Sequence, residues 1–270
     1  MLPLSDHDLP CYQVYAVKYA QRPGRRSEHF VGRDLHDEPM DMDYYVWAII
    51  GESLVWVVDT GFTDADADAR RRTMVRPVTE ALATIGVDAA AVDNVILTHL
   101  HYDHIGGFAQ FPRATFHLQD AEMSFATGRY MTHRTFSHAF TLSHITAVVG
   151  LVFAQRVVFH DGDDELAPGI TVHHVGGHTM GLQVVRVHTG GGWLVLASDA
   201  SHYYEHLERG RPYTTVFHVG DMLEGHRRCR ALADAPWMII PGHDPLVLER
   251  HPPANAGLEG VAARLDLAPQ

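Results

Sequence analysis

The sequence predicts one α/β domain, residues 1–270, built of two packed halves. Short β-rich runs alternate with stretches of helical spacing, and the second half repeats the strand and helix order of the first. No Pro-, Gly- or Ser-rich linker divides the chain between them.

Taken in order, residues 12–19 alternate loosely as a strand does. Runs 45–50 and 54–58, split by Gly51-Glu52-Ser53, predict a hairpin. Val75, Val78, Leu82 and Ile85 predict a helix over 73–85 that Gly86 stops. Residues 92–97 form a short apolar run suited to a buried strand. In the second half, strands are expected at 115–118, 157–159, 170–174, 182–187 and 193–197. A helix is expected within 221–233 and a last short strand at 238–240. Residues 121–155 are rich in aromatics, Met and His, and are expected to form an insertion that lines a pocket or a dimer contact. The apolar run 145–154 within it is too short for a membrane span and reads as a buried helix or pocket wall.

Composition bounds the function. A formal charge of −12 argues against a nucleic-acid groove or an anionic membrane surface, both of which need clustered positive charge. Cys11 and Cys229 share no CxxC spacing, which excludes a disulfide framework and a thiolate zinc site. Residues 1–6 lack the basic start and apolar run of a signal peptide, so a cytoplasmic location is expected. The arginine-rich patch at 22–26 reads as a solvated loop. Left over are 21 histidines, as many as all lysines and arginines together.

One stretch gives those imidazoles a use. The apolar run at 95–97 leads into His99, His101, Asp103 and His104, followed by Gly106 and Gly107. Imidazole nitrogen and carboxylate oxygen are ligands suited to zinc. Groups two residues apart at a strand end share a face, so His99 and His101 can grip one ion. Asp103 and His104 follow where the chain turns and can face a second. The glycines let the backbone turn tightly beneath a crowded site.

His99-Leu-His101-Tyr-Asp103-His104 resembles the HxHxDH signature of the metallo-β-lactamase-fold hydrolases, and later landmarks follow in order. Asp59-Thr60-Gly61 matches the family's Asp-Thr-Gly turn. Gly176-Gly177-His178-Thr179-Met180-Gly181 resembles its Pro-Gly-His-Thr-x-Gly motif, with Gly176 where proline is usual. Ser198-Asp199-Ala200 matches the bridging aspartate, and Pro241-Gly242-His243-Asp244 the last histidine motif. The resemblance implies an αββα sandwich with the metal site at one edge, between the two halves. It implies two zinc ions, or other divalent metals in their place. His99, His101 and His178 would hold one, Asp103, His104 and His243 the other, and Asp199 would bridge. Asp59 is expected behind the ligands or as a turn cap.

Two divalent ions roughly 3.5–4 Å apart lower the pKa of a shared water towards 7 and polarise a carbonyl. The resemblance therefore implies hydrolysis by a bridging hydroxide, with Asp103 also placed to pass a proton to the leaving group. Asp199-Ala-Ser-His202-Tyr203-Tyr204 is similar to the N-acyl homoserine lactonases, in which a tyrosine just after the bridging aspartate assists at the carbonyl. Here His202 stands at that offset and Tyr203 one later, so either is a candidate for the role. The expected activity is opening of a lactone ring, with N-acyl homoserine lactones (quorum quenching) foremost. The alternatives are an ester, thioester or β-lactam on the same metals, or a metal-binding module without catalysis. No Lys/Arg cluster of the kind that recognises glutathione or phosphate follows Asp199. The partner is expected to be a small lactone or ester, with a homodimer as the assembly the insertion would allow.

Overall fold

Strands buried on both faces sort the chain into four layers in the computed structural model, which describes residues 8–270. The reading of residues 1–6 lies outside the described residues. The first sheet contains β1 (Gln13–Arg22), β2 (Met42–Ile50), β3 (Val55–Val58), β4 (Thr73–Met74), β5 (Asn94–Ile96), β6 (Thr115–Gln119) and β7 (Val157–His160). The second contains β8 (Asp164–Ala167), β9 (Ile170–His174), β10 (Gln183–Thr189), β11 (Gly192–Ser198) and β12 (Ile239–Pro241). A final strand, β13 (Ala262–Arg264), returns to the first sheet, whose order is β13-β1-β2-β3-β5-β6-β7 with β4 also on β1. The second sheet runs β12-β11-β10-β9-β8.

Val14 and Ala16 of β1 and Ile96 of β5 face Val185, Val187, Leu194 and Leu196 of the other sheet, making the apolar layer between them. The intervening residues of the first sheet, among them Val17, Tyr19, Val95 and Phe116, turn outward onto helix Val78–Ala83 and helix Leu142–Phe153. Val184, Val195 and Ala197 face outward onto Cys229 of helix Val219–Leu232. The period-two alternation thus buries both faces of each sheet and yields the expected αββα arrangement.

The hairpin and the strands expected at 92–97, 115–118, 157–159, 170–174, 182–187, 193–197 and 238–240 all form, with ends shifted by a few residues. The helix expected over 73–85 is shorter. Thr73 and Met74 pair with Gln21 and Ala20 as β4, and the helix begins only after Pro77, which holds its N-cap at φ −57°. A proline ring keeps the preceding residue out of the helical region, so the chain stays extended until there. Two strands, β8 and β13, and helix Asp64–Arg70 carry no apolar alternation and were not anticipated. That helix opens on a reciprocal cap between Thr63 and Asp66.

The solvated-loop reading of residues 22–26 is corrected. Only Arg25 behaves that way; Arg26 is 13% exposed and held by Asp34 at 3.0 Å and Glu205 at 2.7 Å, while Arg22 turns into a cleft described below. In the 121–155 segment, Phe125, Tyr130 and Phe136 pack on Phe217 at ring separations of 4.8, 4.9 and 5.4 Å. Among the described residues, no helix is long and apolar enough to cross a membrane.

Candidate metal centre

Strand ends bring the predicted ligands to one edge of the sandwich. His99, His101, Asp103 and His104 follow β5, His178 follows β9, Asp199 follows β11 and His243 follows β12. Open α/β sheets place their sites in this way, where strands stop and side chains escape the ladder.

Asp199 organises the cluster. Its Oδ2 lies 3.2 Å from His178 Nε2 and 4.0 Å from His99 Nε2. Its Oδ1 lies 3.1 Å from His243 Nε2 and 3.5 Å from His104 Nε2. His178 Nε2 is 2.8 Å from His101 Nδ1 and 3.2 Å from His99 Nε2. On the other side Asp103 Oδ2 is 3.8 Å from His104 Nε2 and 3.9 Å from His243 Nε2. Two groups result, His99/His101/His178 and Asp103/His104/His243, each with ligand atoms within 4.8 Å of one another. One carboxylate faces both.

The outer ring nitrogens are already occupied. His104 Nδ1 donates to Asp59 at 2.7 Å, His178 Nδ1 to the Thr215 carbonyl at 2.6 Å and His243 Nδ1 to the Asp43 carbonyl at 2.9 Å. Those bonds fix each ring and leave Nε2 with its lone pair turned inward. Asp59 sits at φ +61°, where its carboxylate also accepts from the Thr98 N–H and hydroxyl, both at 2.8 Å. It therefore combines the two roles expected of it, turn residue and support for a ligand.

A cation fits this donor set. His104 Nε2 and Asp199 Oδ1 are buried without a hydrogen-bond partner, a costly state for polar atoms unless something else satisfies them. Burial pushes the imidazoles of His99, His101, His178 and His202 below their usual pKa, keeping them neutral. Burial opposes charge on His104 too, yet Asp59, Asp199 and Asp103 lift it to about 10. Against its own burial, Asp199 is held well below the carboxylate range by His243, His202, His104 and His178. Divalent cations would supply the positive charge that these carboxylates gather.

The two candidates for the carbonyl-assisting role part company. His202 Nε2 lies 2.8 Å from Asp199 Oδ2, and its ring stacks on Tyr213 at 3.5 Å; both rings line the cleft over the cluster. The Tyr203 hydroxyl instead donates to the Asp41 carbonyl at 3.0 Å and lies 3.2 Å from His29 Nε2, outside that cleft. Tyr213, whose hydroxyl donates to the Asp199 carbonyl, was not foreseen; fourteen residues beyond Asp199, it stands in no motif.

Buried Glu122 joins the loops that carry the candidate ligands His101 and His178. Its carboxylate accepts from Leu100 N–H at 2.9 Å and Gly181 N–H at 3.0 Å, tying the turn between His99 and His101 to the loop of His178. From the 121–155 segment, Phe140 packs against the ring of His101 at 4.6 Å, and His138 and Ala139 reach the cleft wall.

The family model of the metallo-beta-lactamase superfamily matches residues 42–243. A Mycobacterium tuberculosis protein described as a probable metallo-hydrolase is 28% identical over 174 residues, 54% of this chain and 53% of that one. The alignment thus spans about half the length of that relative. The N-acyl homoserine lactonase AttM of Azorhizobium caulinodans is 28% identical over 169 residues, covering 60% of this chain and 61% of its own. A crystal structure of a quorum-quenching N-acyl homoserine lactone lactonase superposes with a TM-score of 0.72 over 88% of this chain and 94% of that one, at 21% identity. That likeness establishes the fold.

Proposed function

The chain belongs to the metallo-beta-lactamase superfamily, and from that footing we propose that it is a dinuclear zinc hydrolase that opens lactone rings. The observation that carries this reading is Asp199, with one carboxylate oxygen turned to each of two histidine-rich groups on the floor of a cleft. His99, His101 and His178 would hold one ion and Asp103, His104 and His243 the other. Such ions activate water at neutral pH and polarise a carbonyl.

The remaining steps fall to side chains. Asp103 lines the cleft and is the group we assign to carry a proton to the leaving alkoxide. His202, braced by its stack on Tyr213, is the nearer of the two candidates for the carbonyl oxygen. Tyr203 is the more remote, with its hydroxyl turned to His29 and Asp41. Support for a lactone comes from AttM, named as an N-acyl homoserine lactonase, so those compounds are the first substrates to try. A cytoplasmic location belongs to the same proposal and rests on two cysteines that are both free.

A panel of lactones with varied acyl length, beside esters, thioesters and β-lactams, tests the reading by acid release. Turnover should be greatest for lactones, vanish with chelator and return with zinc. Chelator-insensitive turnover, or faster turnover of a thioester or β-lactam, would overturn it.

A further inference from the structure

Resting on the lactonase reading, we propose that the cleft holds an anion subsite built from Arg22, Arg72 and Tyr44. It selects lactones that bear a carboxylate besides the ring carbonyl. The protein carries −12 overall, yet Arg22, Arg70 and Arg72 all line the cleft that contains the metal ligands.

Two of these cations, Arg70 and Arg72, are not paired with local acids, whereas Arg22 meets Glu28 of the same cleft. Arg72 Nε donates to the Tyr102 hydroxyl at 3.0 Å and Nη1 to the Arg70 carbonyl at 2.8 Å. That holds the guanidinium in place and leaves Nη2 without a partner among the described residues. Arg70 lies over the Tyr102 ring at 3.9 Å and donates to the carbonyls of His138 and Phe140. Among the described residues, neither Arg70 nor Arg72 has a carboxylate partner. Arg22 donates to Met42 Sδ at 3.2 Å and pairs with Glu28 at 3.2 Å, a carboxylate that is 51% exposed. Tyr44 is 2% exposed; its hydroxyl accepts from Tyr102 at 3.4 Å, and its own hydrogen has no acceptor among the described residues.

Arg72 Nη2 and the Tyr44 hydroxyl hydrogen are two donors at the cleft that a ligand can complete. An anionic oxygen group does so by charge-assisted hydrogen bonds. The Tyr44 ring packs 5.1 Å from the ring of His243, so the subsite adjoins the metal cluster. Two features favour a compact anion over a long acyl tail. The cleft measures about 120 Å³, below the roughly 300–1,000 Å³ of pockets that enclose larger ligands. Three aromatic residues of the 121–155 segment, Phe125, Tyr130 and Phe136, are packed on Phe217 instead of lining an acyl channel.

The test uses the zinc-loaded protein and three matched substrates: γ-butyrolactone, the same ring with a carboxylate, and the same ring with a phosphate monoester. N-butyryl homoserine lactone serves as a neutral acyl comparator. The carboxylated lactone should exceed both neutral lactones in kcat/KM by roughly tenfold, the worth of one charge-assisted hydrogen bond. Its KM should rise with ionic strength. Arg72→Gln should reduce the charged-to-neutral ratio by a similar factor. Arg22→Gln, at the end of β1, should do the same if the Arg72 variant folds poorly. Neutral lactones preferred in the wild type, or a ratio unmoved by either variant, overturns the subsite. A phosphorylated ring preferred over the carboxylated one overturns the assignment to carboxylate. Calorimetric binding of the ring-opened dicarboxylate separates the two proposals. Arginine-dependent binding without turnover of any lactone retains the subsite and rejects the lactonase reading.

Discussion

At the scale of single residues, the candidate centre depends on atoms behind the side chains that gather around Asp199. Asp59 holds His104 by its outer nitrogen and is itself held by Thr98. Asp59→Ala should therefore weaken metal at the Asp103/His104/His243 group by about 10–100-fold. It should leave the His99/His101/His178 group occupied, and competitive chelator titration with zinc counting reads this directly. Equal loss from both groups would contradict the assignment. The seven candidate ligands were legible because the chemistry demands particular residue types at short spacing after apolar runs. Arg22, Arg72, Tyr44 and Tyr213 were not, because they reach the cleft from separate parts of the chain and follow no repeat.

At the scale of elements, close approach matters more than propensity. A Cβ on Gly181 would lie 2.0 Å from the Glu122 backbone nitrogen and 2.4 Å from its Cα, so the His178 loop and helix Asp120–Thr127 touch backbone to backbone. Gly181→Ala should force that loop away and break the Glu122 clamp. Loss of zinc from the His99/His101/His178 group should follow, with a fall in stability of about 1–3 kcal/mol. Metal content and a denaturant melt check both, and a variant with full zinc and unchanged stability would refute the clamp. The Gly-x-x-x-x-Gly span was visible in the sequence, but the element it must meet was not. Pro77 was visible too, and its effect on the start of the expected helix outweighed the apolar spacing from Val75 to Ile85. The short polar strands β8 and β13 give no alternation to read; their place is set by the sheet edges they cover.

At the scale of the whole molecule, the histidine surplus becomes a pH dependence. Burial lowers His29, His117 and His226 to about 4 and His206 to about 3. In the unfolded chain each titrates near 6.5. The folded pKa is the lower one, so the stability these groups contribute is present above 6.5 and is lost as pH falls towards 4. Each displaced proton steepens the loss by up to about 1.4 kcal/mol per pH unit. Urea midpoints should fall continuously between pH 7 and 5. His117→Gln should flatten that slope, because His117 bonds to Asn94 and His160 and to none of the seven ligands. A variant as steep as the wild type would refute its part in the effect.

The return of β13 to the first sheet bears on how the protein is made. Arg264, Ala263 and Ala262 pair with Tyr15, Ala16 and Val17, and Leu265 donates to the Val14 carbonyl at 2.8 Å. During synthesis β4 reaches residues 20 and 21 of that edge of β1 first, while the strand that pairs with residues 15–17 arrives some 245 residues after them. At translation rates of roughly 5–20 residues per second, residues 15–17 wait on the order of ten seconds or more for their native neighbour. Throughout that interval their unpaired amides are open to any extended chain nearby. One short strand, β13, ends that exposure of residues 15–17.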